Sequence, residues 1–205
     1  MNDAELIVHL VDDDAAVRDS LTMLIESEGY TVRAHADAEA FLAALIPGSR
    51  GCAVIDLRMP GMDGIRLQQE MTRRGITLPI VFLTGYGDIP TSVRAIKGGA
   101  IDFLTKPVSG AELLRSIGAA LAAGEAQRAH AQRNSSAASR LADLTEREQG
   151  ALKLAVGGLS NKEIAKQLGI SYRTVEIHRS HIMRKTGADS LIDLARIARD
   201  AGIAD

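Results

Sequence analysis

The stretch Ala53-Val54-Ile55-Asp56-Leu57-Arg58-Met59-Pro60-Gly61-Met62-Asp63-Gly64 places a single carboxylate at the end of an apolar run. The run from Cys52 to Ile55 is typical of a strand buried on both faces, and Pro60 with two glycines predicts a loop directly after it. Asp56 therefore stands at the carboxyl end of a strand, where ligands bind in an open parallel sheet. Taken alone, Asp56 also fits the role of a loop-capping residue.

Apolar segments alternate with amphipathic ones over the first 120 residues. The predicted strands are Leu6 to Val11, Thr31 to Ala34, Cys52 to Ile55, Pro79 to Leu83 and Ile101 to Leu104. The predicted helices lie around Val17 to Glu28, after Asp37 as far as Ile46, and over Ile65 to Arg73, Thr91 to Lys97 and Ala111 to Ala123. Each connection is long enough for a right-handed crossover, so the pattern predicts an α/β doubly wound, five-stranded parallel sheet.

Chemically active side chains follow four of these five strands. Asp12 and Asp13 follow the first strand, Asp56 the third, Thr84 the fourth and Lys106 the fifth. Three carboxylates in one crevice repel one another unless a cation joins them, and a site with few ligands, all of them oxygen, suits Mg²⁺. A hydroxyl and an ammonium on the opposite rim supply what the oxygens of a phosphoryl group require, and Asp can accept that group.

Residues 1 to about 120 resemble a response-regulator receiver domain, and the similarity covers every strand end. The resemblance implies that Asp56 is the phosphoacceptor and that Lys106 pairs with the phosphoryl group. It also implies that Mg²⁺ is bound by Asp13, Asp56 and the backbone carbonyl of Arg58, with help from Asp12. The family has a flavodoxin-like fold, which agrees with the predicted sheet.

The same resemblance implies a switch next to the phosphoacceptor. Thr84 is expected to be drawn toward a phosphoryl oxygen, and Phe103 to turn inward behind it. Phe103 stands where some members have Tyr, so a hydroxyl contact is lost, and a permanently buried core ring is the alternative interpretation. The bond between Lys106 and Pro107 is expected to be a cis peptide.

Composition divides the chain into an acidic and a basic part. Residues 1–120 carry 16 Asp and Glu against 11 Lys and Arg, whereas residues 121–205 carry 10 against 13. We expect a receiver over residues 1–123, a partly helical linker that frays over 124–140, and a DNA-binding domain over 141–205. The single cysteine, Cys52, lies in an apolar strand and indicates neither disulfides nor a cysteine metal site. Without a signal-peptide pattern or an apolar run of membrane length, we expect a cytoplasmic protein.

Two capping boxes mark helix starts in the basic part, at Thr145 to Glu148 and at Ser160 to Glu163. Gly169 ends the second of these helices, and a third is predicted over about Ser171 to Lys185, with a fourth from Ser190 to Ala201. Two short helices joined by a tight glycine turn to a longer basic helix are typical of a helix-turn-helix.

The third helix has an inner and an outer face at 100° per residue. Its inner face holds Val175, His178 and Ile182, and its outer face holds Arg173, Ile177, Ser180 and Arg184, flanked by Glu176 and His181. A basic face with one apolar residue suits the major groove of DNA, whereas charge alone also fits a solvated helix of a small bundle. The two histidines are not spaced with acids as metal ligands.

Three motifs of the basic part closely resemble a LuxR-type output domain: Leu144 to Glu148, Gly158 to Ala165 and Thr174 to Arg179. The two halves together are similar to transcriptional regulators of the FixJ/NarL class. In that family, bases are read from the positions of Glu176, Ile177 and Ser180. The residues that resemble phosphate contacts are Lys162, Arg179, Arg184 and Lys185, and Arg173 is a further expected DNA contact.

These features predict a phosphorylation-controlled transcription factor rather than a turnover enzyme. We expect a sensor histidine kinase to modify Asp56, the receiver to form a homodimer, and the output domain to bind an inverted repeat in double-stranded DNA. One rival is a Mg²⁺-dependent phosphatase that uses an aspartyl phosphate, but its usual second Asp is Arg58 here. Another rival is a receiver that binds partners without phosphate, which the intact acidic cluster with Thr84 and Lys106 disfavours.

Overall fold

The computed structural model describes residues 6–46, 48–85 and 89–203, with only the backbone for residues 89–91. The chain divides into two compact units between residues 127 and 128. The strands, all in the first unit, are β1 (Ile7–Val11), β2 (Thr31–His35), β3 (Gly51–Asp56), β4 (Ile80–Thr84) and β5 (Asp102–Thr105). The helices are α1 (Ala15–Ser27), α2 (Ala38–Ala44), α3 (Gly64–Arg73), α4 (Ile89–Lys97), α5 (Gly110–Ala142), α6 (Glu146–Val156), α7 (Asn161–Leu168), α8 (Tyr172–Thr186) and α9 (Leu191–Asp200).

The five strands form one parallel sheet in the order β2-β1-β3-β4-β5, which confirms the predicted doubly wound, flavodoxin-like fold. The winding changes direction between β1 and β3, and this switch point is where open α/β sheets bind ligands. Gly51 begins β3 with φ at +130°, and a Cβ there would lie 1.8 Å from the carbonyl oxygen of Ile7. Glycine is therefore required for β3 to start this close to β1.

Alternation along the central strands fills two hydrophobic layers, one on each side of the sheet. On β4, Phe82 packs into the layer under α2, α3 and α4, whereas Leu83 packs into the layer under α1 and α5. Ile55 and Val54 divide between the same two layers on β3. Every residue of β3 is buried, which agrees with a strand that carries almost no polar side chain before Asp56.

Helix α5 is longer than the sequence predicts, because it continues without a break through the stretch expected to fray into a linker. The residues beyond Ala123 are rich in Ala, Gln and Arg, which favour helix. Ala137 and Leu141 are also buried in the hydrophobic core of the second unit, and composition does not reveal this burial. Neither α5 nor any other helix of the described ranges is long and apolar enough to span a membrane.

The second unit is helical, and both predicted capping boxes are confirmed at the starts of α6 and α7. Gly169 ends α7 in the left-handed conformation, with φ at +66°, and the chain then turns into α8. Leu152, Ile182 and Leu194 join α6, α8 and α9 in one core cluster. A second cluster joins α6, α7 and α8. The inner side of α8 therefore packs against α6, α7 and α9.

Candidate functional site

The carboxyl ends of β1, β3, β4 and β5 bring the predicted side chains to one edge of the sheet. Asp56 is paired in register with Leu83, and the next residue of β4, Thr84, is paired with Thr105 of β5. Lys106 follows β5 directly, and its backbone N–H donates to the carbonyl oxygen of Thr84 at 2.6 Å. The parallel register therefore explains why residues up to 94 positions apart in sequence meet here.

Asp12, Asp13 and Asp56 form a carboxylate cluster in which one oxygen from each lies within 4.8 Å of the others. Asp12 is fully buried and Asp56 is 8% exposed, whereas Asp13 is exposed to solvent. Asp14 is not part of this cluster, because its side chain accepts N–H bonds from Ala16 and Val17 as the N-cap of α1. Of the three consecutive aspartates, Asp12 and Asp13 thus belong to the acidic pocket, and Asp14 caps α1.

Lys106 supplies the positive charge of this pocket. Its Nζ lies 2.6 Å from Oδ2 of Asp12 and 3.1 Å from Oδ2 of Asp56, so one ammonium contacts two carboxylates. Burial raises the pKa of Asp56 above its usual range, although the Lys106 ammonium acts in the opposite direction. Burial would lower the pKa of Lys106, but its hydrogen bonds to Asp12 and Asp56 outweigh this effect and raise it. The predicted cis peptide between Lys106 and Pro107 is present.

The donor set of the pocket fits a small divalent cation. The three clustered carboxylates offer only oxygen atoms, and one lysine leaves their combined negative charge partly uncompensated. Such a set is typical of Mg²⁺, which retains water ligands beside a few carboxylates. Arg58 contacts the pocket through its backbone N–H, which lies 3.4 Å from Oδ1 of Asp56.

Thr84 and Phe103 lie beside the acidic pocket, on β4 and β5. Thr84 is fully buried, and the ring of Phe103 is half-buried, with its centroid 6.5 Å from that of Phe82. The Phe103 ring packs against the core layer that also contains Phe82 and is partly buried there.

Two residues of the site were not predicted from the sequence. Arg18, in the second turn of α1, donates from Nη1 to the backbone carbonyl of Asp12 at 2.7 Å. Gly64 begins α3 directly behind Asp56, and a Cβ there would lie 2.7 Å from the Asp56 carbonyl oxygen. A glycine at the first position of a helix is the only sequence signal for the second residue, and it is a weak one.

In the second unit, α8 has the two faces that its sequence predicts. Val175 and Ile182 are fully buried and His178 is half-buried. The opposite face is exposed and consists of Arg173, Ile177, Ser180 and Arg184. Ile177 is 44% exposed and is the aliphatic member of this otherwise polar face.

Three charged residues of this surface have partners within the chain. Arg173 pairs with Glu176 at 3.1 Å, and Arg179 donates to Oδ1 of Asn161 at 2.7 Å. Both pairs lie at or near the exposed face and keep other donors open to a ligand. Lys162, the second residue of α7, is exposed.

Lys185 is placed differently from its predicted role as a phosphate contact. Its Nζ lies 2.7 Å from Oε2 of Glu148, and it also donates to the backbone carbonyl of Asp143 at 3.1 Å. The carboxylate of Glu148 is 4% exposed, so this ion pair is directed into the domain rather than toward the outer face of α8. The periodicity of α8 does not reveal this partner, which lies 37 residues earlier in the chain.

Two family models match the chain: "Response regulator receiver domain" over residues 8–118, and "Bacterial regulatory proteins, luxR family" over residues 142–198. "Transcriptional regulatory protein FixJ" of Azorhizobium caulinodans is 45% identical over 97% of this chain and 94% of its own length. "Nodulation protein W" of Bradyrhizobium diazoefficiens is 43% identical over 96% of this chain and 87% of its own length.

Solved structures are similar over the same span. The response regulator StyR is 42% identical, with a TM-score of 0.82 over 96% of this chain and 99% of that one. Full-length FixJ from B. japonicum is also 42% identical, with a TM-score of 0.60 over 98% of this chain and 100% of that one. The similarity therefore extends across both units and is not confined to the parallel sheet.

Proposed function

We propose a mechanism for this chain, which belongs to the two-component response regulators of the FixJ/NarL class. Like them, it combines a receiver domain with a LuxR-type DNA-binding domain. It is a phosphorylation-dependent regulator of transcription and not an enzyme that turns over a metabolite. A sensor histidine kinase is its implied phosphodonor. We assign residues 1–123 to the receiver, 124–140 to a connecting segment and 141–205 to the DNA-binding domain, and we locate the protein in the cytoplasm.

Asp56 is the phosphoacceptor in this proposal, and the contacts of Lys106 with both Asp12 and Asp56 are the observation that carries it. A carboxylate oxygen of Asp56 attacks phosphorus and forms a P–O bond. The donor's bond to phosphorus breaks at the same time, and its electron pair leaves with the histidine ring or with acetate. Lys106 then pairs with an oxygen of the transferred group. The chain's own residues catalyse this single transfer.

Asp13, Asp56 and the backbone carbonyl of Arg58 would hold Mg²⁺ in the acidic cluster, with help from Asp12. Their all-oxygen donor set supports this choice of ion. When bound, Mg²⁺ supplies positive charge to the oxygens of the transferring phosphoryl group. The protein's part is to hold three carboxylates close together, and the Lys106 ammonium offsets part of their negative charge.

Phosphorylation changes the surface formed by α4, β5 and α5. The Thr84 hydroxyl turns to a phosphoryl oxygen, and the half-exposed Phe103 ring moves inward beside it. Three exposed aliphatic side chains support dimerisation through this surface: Val93 at 45%, Ile96 at 48% and Ile101 at 38% exposure. Receivers without phosphate remain monomeric, and phosphorylated ones form a homodimer.

The outer face of α8 reads DNA in the major groove. Glu176 accepts from a cytosine amine, Ile177 packs on a thymine methyl, and Ser180 contacts a third base edge. The side chains that contact phosphates are Lys162, Arg173, Arg179 and Arg184. Lys185 is excluded from this set because Glu148 uses its ammonium. A homodimer with two such helices requires an inverted repeat in the operator.

Labelling with acetyl phosphate tests the assignment of the phosphoacceptor. With Mg²⁺ present, the wild-type chain should take up one phosphoryl group, and Asp56→Asn should take up none. Asp63→Asn is the matched control, because Asp63 caps α3 close by in sequence and is not part of the carboxylate cluster. Undiminished labelling of Asp56→Asn, or equal loss in Asp63→Asn, would refute the assignment.

A further inference from the structure

The two capping boxes of the second unit differ in what their glutamates contact. Within the described part of the chain, the Glu163 side chain accepts hydrogen bonds only from the N-cap residue Ser160, from its backbone N–H at 2.8 Å and its hydroxyl at 2.7 Å. Glu148 makes the equivalent bonds to Thr145, at 2.9 and 3.0 Å. Glu163 is exposed, whereas the Glu148 side chain is only 4% exposed. Burial of one capping glutamate indicates a second role for it.

That second role is a link to α8. Oε2 of Glu148 lies 2.7 Å from Nζ of Lys185, and Oε1 lies 3.6 Å from Nδ1 of His181. His181 and Lys185 are four residues apart, so both lie on the same side of α8. The Glu148 carboxylate thus connects the start of α6 to the last two turns of α8.

The electrostatics of the cluster agree with a fixed ion pair. Burial would raise the pKa of Glu148, but hydrogen bonds from Lys185 and Thr145 outweigh it and hold the pKa at about 2. The Lys185 ammonium also donates to the Asp143 carbonyl, next to the same helix start. The pair has at least three bonds besides its own, so Lys185 is held in one place.

We propose that Glu148 is a positioning residue for DNA binding. By holding Lys185, it fixes the position of α8 within the domain. The inference rests on the proposed reading of DNA by the outer face of α8. Arg184, the neighbour of Lys185, is exposed on that face, whereas the Lys185 side chain, 28% exposed, reaches Glu148 at the start of α6. The two consecutive cations therefore have different functions: Arg184 contacts DNA, and Lys185 holds α8 against the start of α6.

The probe is a DNA duplex taken from the pool that the full-length wild-type chain enriches from random sequence. Affinity for this duplex is measured over a range of salt concentrations for full-length variants. The variants are Lys185→Gln, Glu148→Gln, their double substitution, Lys185→Arg, Arg184→Gln and Glu163→Gln. Thermal melting of each variant, without DNA, reports its stability separately. If Glu148→Gln does not fold, Lys185→Gln still tests the proposal because it leaves the capping box intact.

We expect Lys185→Gln to weaken DNA binding by about tenfold, which corresponds to the loss of one hydrogen bond to a charged group. The dependence of affinity on salt concentration should stay unchanged. Arg184→Gln should instead lower the salt slope by about 1, as loss of a phosphate contact does. Lys185→Arg should restore most of the affinity, since an arginine also pairs with a carboxylate. Glu148→Gln should add little in the Lys185→Gln background, and Glu163→Gln should lower melting temperature without weakening DNA binding.

The proposal is overturned if Lys185→Gln binds as tightly as wild type, or if it lowers the salt slope as Arg184→Gln does. Full additivity of the Glu148 and Lys185 substitutions would also overturn it. Failure of the proposed DNA-reading face gives a different result. In that case Arg184→Gln would leave both affinity and salt slope unchanged.

Discussion

Replacing Gly64 with alanine should damage the phosphoacceptor site through the backbone. A Cβ at Gly64 would lie 2.7 Å from the carbonyl oxygen of Asp56 and 3.0 Å from Cε1 of Phe82. The oxygen belongs to the backbone of a buried strand, so the contact cannot be relieved by a side-chain rotation. Overpacking of this kind costs ~1–3 kcal/mol, and the higher helix propensity of alanine returns no more than about 1 kcal/mol. After the full propensity gain is subtracted, we expect a net loss of up to about 2 kcal/mol in the free energy of unfolding.

The matched control is Gly118→Ala, because a Cβ at Gly118, within α5, meets no atom within 4 Å. That variant should gain ~0.5–1 kcal/mol, from helix propensity alone. Urea unfolding followed by far-UV circular dichroism measures both changes, and the rate of labelling by acetyl phosphate measures the effect on Asp56. Gly64→Ala should be labelled more slowly than wild type and Gly118→Ala at the wild-type rate. A Gly64→Ala protein as stable as Gly118→Ala would refute the reasoning.

Three further predictions concern other parts of the molecule. His9 and His35 are buried and stacked, and burial lowers the pKa of His9 to about 4, so stability should fall by up to about 3 kcal/mol as pH drops from 6.5 to 4. The unfolded chain binds the extra protons in that range, and His9→Leu/His35→Leu should flatten this part of a urea-unfolding profile against pH. Glu176→Ala and Ile177→Ala should change the sequence selected from random DNA, by ~1–3 kcal/mol at one base pair; an unchanged selection would show that this face does not read bases. Ile96→Asp should keep phosphoryl labelling but lose dimerisation in sedimentation, and an unaltered dimer would exclude the α4 surface.

The strand-end chemistry was predictable from sequence because each residue follows a readable apolar strand. In a parallel sheet all strand ends face one edge, so Asp12, Asp56 and Lys106 meet there once the strands are recognised. The capping boxes were predictable for a similar reason, since the bonds between the N-cap residue and the glutamate join residues only three positions apart. The prediction of Mg²⁺ follows from the same cluster of oxygen donors and stays a prediction.

Contacts between distant residues account for what the sequence did not reveal. The Lys185 ammonium is used by Glu148, 37 residues earlier, and no helical periodicity contains this information. The length of α5 depends on burial of Ala137 and Leu141 in the second unit, whereas composition alone predicts a fraying segment. A DNA-binding fragment beginning at residue 141 would lack Ala137, so a fragment from residue 128 should be the more stable one.

The most direct test of the central claim is the affinity of the full-length chain for its selected DNA before and after treatment with acetyl phosphate and Mg²⁺. If phosphorylation of Asp56 controls DNA binding, treatment should tighten binding of the wild-type chain by about 5–150-fold, the usual range for coupling between two sites. Asp56→Asn should show no change on treatment. Equal tightening in Asp56→Asn, or no tightening in a wild-type chain that carries the phosphoryl group, would contradict the account.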